Sequence, residues 1–553
     1  MSFDGSMTPP GPDAPHPRPQ RPRIVVVGSG MAATRLVEEL VARRAPDRTD
    51  ITVLGDEDAP PYNRILLSAV LEGTHRPDAL TLRSPEWYAA HGVDLRLGAR
   101  VLGIDRERRD VMLVDGTQHS DPRMPACCAT PEQHAGGVAD ARWCNQTAVA
   151  PAPCQRTTPT PLATAPIRGS ERVEYDALVL ATGSIPTLPP IRGLVRMDGS
   201  LHPAVHAFRS LADCERLVAA LPRSRRAVVV GGGLLGLQVA RALGTRGLAT
   251  EIVEGADHLL HRQIGTAAGR ILVRDLKRLG VAVYTGARAV RLGEGADGPA
   301  LRLDNGYTLD TDLVVLTAGG RPSTALARGA GLEVRRGIVV DDRLASVTDP
   351  SVHALGDCAE HSGRTTGFVP PAWEQAGVLA GVLCGETVRY DGSRVVARLR
   401  ATDLDVAVLG DAAAEEAAGG EVVEVANPLS GSHRRIVVRD RRIVAATLVG
   451  DLSRVGLITQ HFDRRTVLGP REPGDLLLPE RREDGGNGAG VVGVLPDDAE
   501  VCACAGVTAG RIRACSSLEQ VRDTTRATTG CGGCASTVRQ LLSSRPALAT
   551  KGS

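Results

Sequence analysis

The run Ile24, Val25, Val26, Val27, Gly28, Ser29, Gly30, Met31, Ala32, Ala33 leaves few folds open to this chain. A string of β-branched residues that ends on a glycine reads as a strand buried on both faces, followed by a tight turn. Gly28, Gly30 and Ala33 give the pattern G-x-G-x-x-A. That spacing lets the backbone approach a pyrophosphate, with the positive end of the next helix aimed at it. Asp56 follows the apolar run 51–54, 28 residues beyond Gly28, where an acid is wanted for a ribose hydroxyl. A single such pattern also occurs in glycine turns that bind nothing.

A second one follows about 200 residues later. Residues 227–230 are a strand, and Gly231, Gly233 and Gly236 complete G-x-G-x-x-G before a helix that runs to about Leu243. Glu254 ends the next strand, 23 residues after Gly231. A carboxylate there accepts hydrogen bonds from a ribose 2′-hydroxyl and repels a 2′-phosphate. No Arg follows it at once, so NADH is favoured over NADPH. Two dinucleotide folds in one chain point to an FAD site paired with an NAD site.

Other segments fit around the first nucleotide. In P-P-Y-N-R-I-L-L-S, Arg64 follows a strand end and suits a guanidinium laid on a dinucleotide. The stretch 175–183 reads as a buried strand ending in small residues, Thr182 and Gly183 among them, where the chain must pass under a bound dinucleotide. Two later strands return toward the first cofactor: 313–317 runs into Gly319, and 352–355 runs into Gly356 and Asp357. Asp357 suits a hydroxyl of a ribityl chain. A helix beginning at Pro371 carries Trp373 and Glu374, and its N-terminus would stabilise negative charge on a reduced flavin. The alternation in 93–115 predicts short antiparallel strands.

At 553 residues, 42% hydrophobic and 23% charged, the chain is an ordinary globular one with room for several domains. A net charge of +1 argues against nucleic acid as a partner, and no apolar run long enough to span a membrane occurs. Residues 1–22 are Pro-rich and lack the apolar core of a signal peptide, so they read as a disordered tail and the location as cytoplasmic. Residues 117–169, rich in Pro, Ala and Thr, read as a disordered insertion. The expected domains are 23–205 and 319–394 for FAD, 206–318 for NAD, and a small α/β or β-rich unit at 395–478. A linker at 479–495 then leads to a cysteine unit at 496–545.

That last unit places Cys502 and Cys504 26 residues before Cys531 and Cys534. Two close pairs of thiolates wrap either a zinc ion or a [2Fe–2S] cluster. The glycines beside the second pair free backbone N–H groups for sulfur, which favours the cluster. Without an export signal a disulfide is the weaker reading.

Together these residues resemble the nitrite reductase large subunit family, and in particular its shorter members, the electron-transfer subunits of assimilatory nitrate reductase. The resemblance rests on P-Y-N-R-I-L-L-S, Y-D-A-L-V-L-A-T-G-S, V-V-V-G-G-G-L-L-G-L, V-H-A-L-G-D-C-A-E-H, P-A-W-E-Q-A and V-C-A-C-A-G-V…C-G-G-C. It implies an α/β fold with two interleaved Rossmann-like domains of the pyridine nucleotide-disulfide oxidoreductase type. A small α/β domain and a helical [2Fe–2S] domain of the bacterioferritin-associated ferredoxin type complete it. It implies FAD, NADH and a [2Fe–2S] cluster, with a nitrate or nitrite reductase catalytic protein as electron acceptor; a homodimer is compatible with it.

The 26-residue spacer is shorter than the family leads one to expect. No further Cys pairs follow to ligate a sirohaem and a [4Fe–4S] cluster, so the chain by itself is not expected to reduce nitrite. Related ferredoxin reductases carry a Lys and a Glu where this chain has Ala69 and Gln238. No catalytic acid or base is expected, because the cofactors carry the chemistry. The rival readings are a ferredoxin or rubredoxin reductase feeding an oxygenase, and a non-catalytic iron–sulfur docking protein.

Overall fold

Val25 and Val26 are shut off from solvent, and their strand, β1 (Arg23–Val27), is the middle of the first sheet. The structure is a computed structural model that describes residues 21–114, 171–393, 396–401, 404–469, 473–478, 495–502, 507–525, 527–528 and 534–543. Residues 1–20 of the expected tail, the expected insertion at 117–169 and the expected linker from 479 to 494 lie outside the described residues.

From β1 the chain enters α1 (Met31–Ala42), β2 (Asp50–Leu54), α2 (Leu67–Glu72), α3 (Pro85–Ala90) and β3 (Val93–Arg96). β3 pairs parallel with β2, which corrects the antiparallel expectation for 93–96. Alternation reports a half-buried edge but not its direction, and α3 carries the chain back so that the edge strand runs parallel. Only β4 (Val101–Asp105), β5 (Asp110–Leu113) and β6 (Arg172–Glu174) pair antiparallel in this region. β7 (Ala177–Leu180) then lies beside β1, and β8 (Ser184–Pro186) leaves the sheet.

The second unit repeats the plan. β9 (Val205–Ala207) and α4 (Leu211–Ala220) lead to β10 (Arg226–Val230), α5 (Leu234–Thr245) and β11 (Ala249–Glu254). After α6 (Thr266–Arg278) and β12 (Val281–Thr285) comes a meander of β13 (Ala289–Gly295), β14 (Gly298–Leu303) and β15 (Thr308–Asp310), then β16 (Leu313–Leu316). The order β12-β11-β10-β16-β9 is parallel throughout, with β10 central. β16 thus belongs to the second sheet. The chain after it returns to the first unit: β17 (Gly320–Pro322) pairs with β8.

α7 (Ala325–Gly329) and β18 (Ile338–Val340) precede β19 (Val352–Ala354), which completes the first sheet in the order β19-β7-β1-β2-β3. The hairpin β20 (Ala359–His361) and β21 (Arg364–Thr365) runs into α8 (Val369–Leu383). α8 starts two residues before Pro371, because two prolines lack the N–H that the first turn leaves unused. It packs on α1, whose Leu36 and Leu40 are fully buried, each stabilising the fold by about 1.5–3 kcal/mol.

α2 crosses between the units. Leu67, Val70 and Leu71 sit in one core with Leu237 and Val239 of α5 and Cys214 of α4, so the first unit lends a helix to the second. A third unit is a five-stranded antiparallel sheet of β22 (Val396–Ala401), β23 (Leu404–Leu409), β24 (Glu421–Asn427), β25 (Ser432–Arg439) and β26 (Arg442–Val449). α9 (Ala412–Ala417) and α10 (Val455–Asp463) accompany it. Val406, Val408 and Val449 pack into the second unit's core.

The last unit holds β27 (Glu500–Cys502), β28 (Val507–Thr508), α11 (Ala509–Arg513), α12 (Leu518–Thr525) and α13 (Ala535–Ser543) around Val507, Ile512, Val521 and Val538. No helix among the described residues is long and apolar enough to cross a membrane.

Candidate functional site

β1 and β10 end in the same way. Gly28 and Gly231 have φ of 111° and 115°, a region closed to side-chain-bearing residues. A Cβ on Gly28 would stand 2.3 Å from the Ala181 carbonyl oxygen, and one on Gly231 would stand 2.6 Å from that of Thr317. Each turn therefore presses backbone against backbone. One on Gly236 would stand 1.9 Å from the Gly231 oxygen, so helix and turn also meet without a side chain between them. Ala33, at the matching place in α1, is buried in the first core.

α1 and α5 begin at Gly30 and Gly233 with no side-chain cap and no acid in the first turn. Their orphan N–H groups are what a phosphate would satisfy. A Cβ on Gly233 would meet nothing within 4 Å, and one on Gly30 only the Arg64 Nε at 3.9 Å, so both positions are open on the ligand side. These are the shapes that two dinucleotides need.

The first turn opens into a cavity of 2060 Å³. Its lining includes Gly28, Gly30, Asp56, Arg64, Thr182, Gly183, Gly356, Asp357, Trp373 and Glu374, so ten of the expected residues meet there. Gly231, Gly233, Gly236 and Glu254 form the second turn outside it, and Gly319 lies between β16 and β17, where its oxygen accepts from Thr187 N–H at 2.9 Å. From the second unit, Leu234, Leu235 and Gln238 of α5 enter the cavity wall.

Glu254 is fixed by the turn it serves: Oε2 accepts from Gly232 N–H at 2.6 Å and Oε1 from Ala256 N–H at 2.8 Å. Asp357 is half engaged. Its Oδ2 accepts from Ser184 Oγ at 2.7 Å and Arg209 Nη2 at 2.6 Å, while Oδ1 has no partner among the described residues. Gly356 beside it has φ of 75° and donates its N–H to Gln375 Oε1 at 2.7 Å. Trp373 is buried, with the Arg35 guanidinium 5.9 Å from its ring centre.

Arg64 stacks over Tyr62 at 5.1 Å and pairs with Glu57. Tyr62 donates to the other Glu57 oxygen at 2.7 Å and accepts from Leu211 N–H at 2.8 Å, which ties the loop to the second unit. Burial raises the Tyr62 phenol far above its ordinary range, so it stays a donor. Glu57, Ser184, Arg209 and Gln375 escaped the sequence reading. Only proximity in the fold marks them, since Arg209 and Asp357 are 148 residues apart.

In the last unit Cys502 and Cys534 are both buried in one small core. The Cys534 sulfur accepts from Thr528 N–H at 3.2 Å, as a thiolate or cluster ligand would. Cys504 and Cys531 lie outside the described residues.

Residues 22–376 match the pyridine nucleotide-disulphide oxidoreductase family, and residues 500–544 match the BFD-like [2Fe-2S] binding domain. The chain belongs to the pyridine nucleotide-disulphide oxidoreductase family. It is an oxidoreductase with FAD and NAD sites and a C-terminal [2Fe–2S] domain. Over 528 residues it is 31% identical to the nitrite reductase [NAD(P)H] of Bacillus subtilis (strain 168), a match that covers 94% of this chain and 57% of that one. It is 28% identical to the assimilatory nitrate reductase electron transfer subunit of the same organism, over 95% of this chain and 60% of the relative. The nitrite reductase (NADH) large subunit of Escherichia coli (strain K12) is 30% identical, over 94% and 55%. The chain thus spans between half and two thirds of the length of these relatives.

Among solved structures, the covalent putidaredoxin reductase–putidaredoxin complex aligns with a TM-score of 0.64 at 24% identity, covering 83% of this chain and 96% of that one. The water-forming NADH oxidase from Lactobacillus brevis aligns with a TM-score of 0.63 at 19% identity, covering 94% and 99%. Both likenesses are of fold.

Proposed function

We propose that this chain carries electrons from NADH through FAD and a [2Fe–2S] cluster to a nitrate- or nitrite-reducing catalytic protein. One observation carries the reading: the first residues of α5, which follow the second glycine turn, form part of the wall of the first cavity. A nucleotide on that turn and a flavin in that cavity therefore share a wall. When bound, FAD takes two electrons from NADH as hydride and releases them singly, which a one-electron cluster requires.

The chain's own residues bind and orient. The uncapped ends of α1 and α5 hold the two pyrophosphates, Asp56 a ribose of the first nucleotide, and the unengaged Asp357 oxygen a ribityl hydroxyl. Arg64 is positioned by Glu57 and Tyr62, and Arg209 and Ser184 hold Asp357. Glu254 accepts from the NADH ribose and repels a 2′-phosphate. Trp373 and Glu374, in the first turns of α8, face the flavin from the cavity wall, where the helix end offsets negative charge. Cys502, Cys504, Cys531 and Cys534 ligate the cluster. The relatives named for nitrate and nitrite reduction support the acceptor.

Anaerobic titration of the purified protein with NADH tests this. Flavin absorbance is expected to bleach and a reduced-cluster EPR signal to appear, and added nitrate or nitrite reductase catalytic protein to reoxidise both. Flavin bleaching with no cluster signal, or reoxidation only by rubredoxin or an oxygenase ferredoxin, would overturn the reading.

A further inference from the structure

Thr528 is a β-branched residue with φ of 72°, a backbone region that such residues rarely enter. It is held there from both sides. The Arg522 Nε donates to Thr528 Oγ1 at 3.2 Å, and one residue earlier the Ala527 N–H donates to Thr525 Oγ1 at 3.2 Å. The result of this geometry is that the Thr528 amide points at the Cys534 sulfur, 3.2 Å away, in a spot where Thr528 and Cys534 are both buried. Cys534 also stands directly before α13, with its carbonyl accepting from Val538 N–H at 2.9 Å, so its sulfur lies at the positive end of a nine-residue helix. Backbone strain maintained at Thr528, whose amide meets an expected ligand, is a mark of function rather than of economy in folding.

We propose that Thr528, locked in this conformation by Arg522, sets the reduction potential of the cluster through its N–H bond to the Cys534 sulfur. The inference rests on reading the C-terminal unit as a [2Fe–2S] carrier. Reduction adds one electron from the flavin and no proton, and converts one of two ferric ions to ferrous. The added negative charge spreads over the sulfurs, and an amide aimed at one of them stabilises the reduced form more than the oxidised form. The cluster is therefore easier to reduce than it would be with the same four cysteines and no such donor.

The full-length protein, labelled with 15N-threonine and reduced with NADH, gives a direct reading by pulsed EPR. A 15N coupling to the cluster is expected in the wild type. The Thr528 share of it should be lost in Thr528→Ser, which keeps the amide and the hydroxyl but leaves the label only on the other threonines, while the potential stays put. Potentiometric titration of Arg522→Gln, a change on the surface of α12, is expected to move the midpoint to a more negative value. Thr528→Pro, which removes the N–H, is expected to move it further; should that variant fail to fold, Arg522→Gln decides. A normal cluster signal whose threonine coupling is the same in wild type and Thr528→Ser, or Arg522→Gln at the wild-type potential, overturns this inference alone. A preparation that holds zinc and gives no EPR signal overturns the function proposed above and this inference with it.

Discussion

Glu72 and Arg241 form a two-pronged ion pair, 2.9 and 3.0 Å, across the seam where α2 of the first unit meets α5 of the second. Both side chains are largely buried. The pair lies one turn beyond Ala69 and Gln238, the positions where the resemblance to ferredoxin reductases leads one to expect Lys and Glu. Gln238 lines the cavity and neither member of the pair does. The charges joining the two helices thus stand one turn away from the cavity wall.

Removing Arg241 leaves the Glu72 carboxylate with little water and without the guanidinium that pairs both its oxygens. Arg241→Met is expected to destabilise the protein by about 3 kcal/mol or more, and Glu72→Leu with Arg241→Met together by much less. Chemical denaturation of the two variants beside the wild type measures both. A single variant within about 0.5 kcal/mol of the wild type would mean that the seam does not depend on the pair.

Gln238 presents a neutral amide to the cavity. Gln238→Glu places a carboxylate there with no lysine at 69 to meet it, and the reduced flavin it would face is anionic. Flavin reduction by NADH in stopped flow is expected to slow by about tenfold, and Ala69→Lys added to that variant to recover most of the loss. Equal rates in Gln238→Glu and wild type would show that this wall does not sense charge.

The glycines of the second turn separate folding from binding. Gly236→Ala puts a methyl 1.9 Å from the Gly231 oxygen, so the turn must open, and a fall in thermal midpoint of several degrees is expected. Gly233→Ala meets no protein atom within 4 Å. It should melt with the wild type while its KM for NADH rises, because the methyl takes the space of a phosphate. If Gly233→Ala left KM unchanged, the nucleotide would lie elsewhere.

What the sequence revealed and what it hid have physical reasons. β1 and β10 were legible because a parallel strand buried on both faces must be apolar at every position, and each ends on a glycine that close backbone contact demands. The edge strand β3 was misread because a half-buried strand alternates in the same way whichever direction it runs. Arg209 was invisible for another reason. Its role depends on Ser184 and Asp357, which reach it from other segments, and nothing in its own neighbourhood distinguishes it from a solvated arginine. Trp373 does lie in the first turns of a helix, but that helix begins two residues before the expected Pro371, since Pro370 and Pro371 permit a helix start as readily as they prevent its continuation.

His353 supplies a pH dependence that belongs to the fold alone. It sits in β19 at 6% exposure, and its Nδ1 has no partner among the described residues. Burial, opposed in part by Asp341, pulls its pKa from the ordinary 6.5 down to about 4. In the folded protein the ring is therefore neutral through a range where the unfolded chain takes up a proton. Between about pH 6.5 and 4 the unfolded state binds more protons, so stability falls as the pH drops, by up to roughly 1.4 kcal/mol per unit. Above pH 7 both states are neutral and the effect is absent; below 4 both are charged and no further loss accrues. Carboxylates elsewhere contribute an acid limb of their own, so the comparison must be differential. His353→Leu, matched to the wild type at pH 7.5, is expected to gain on it steadily as the pH is lowered to 4.5 in urea unfolding. Parallel stability curves over that range would mean that the imidazole reaches water in the native state.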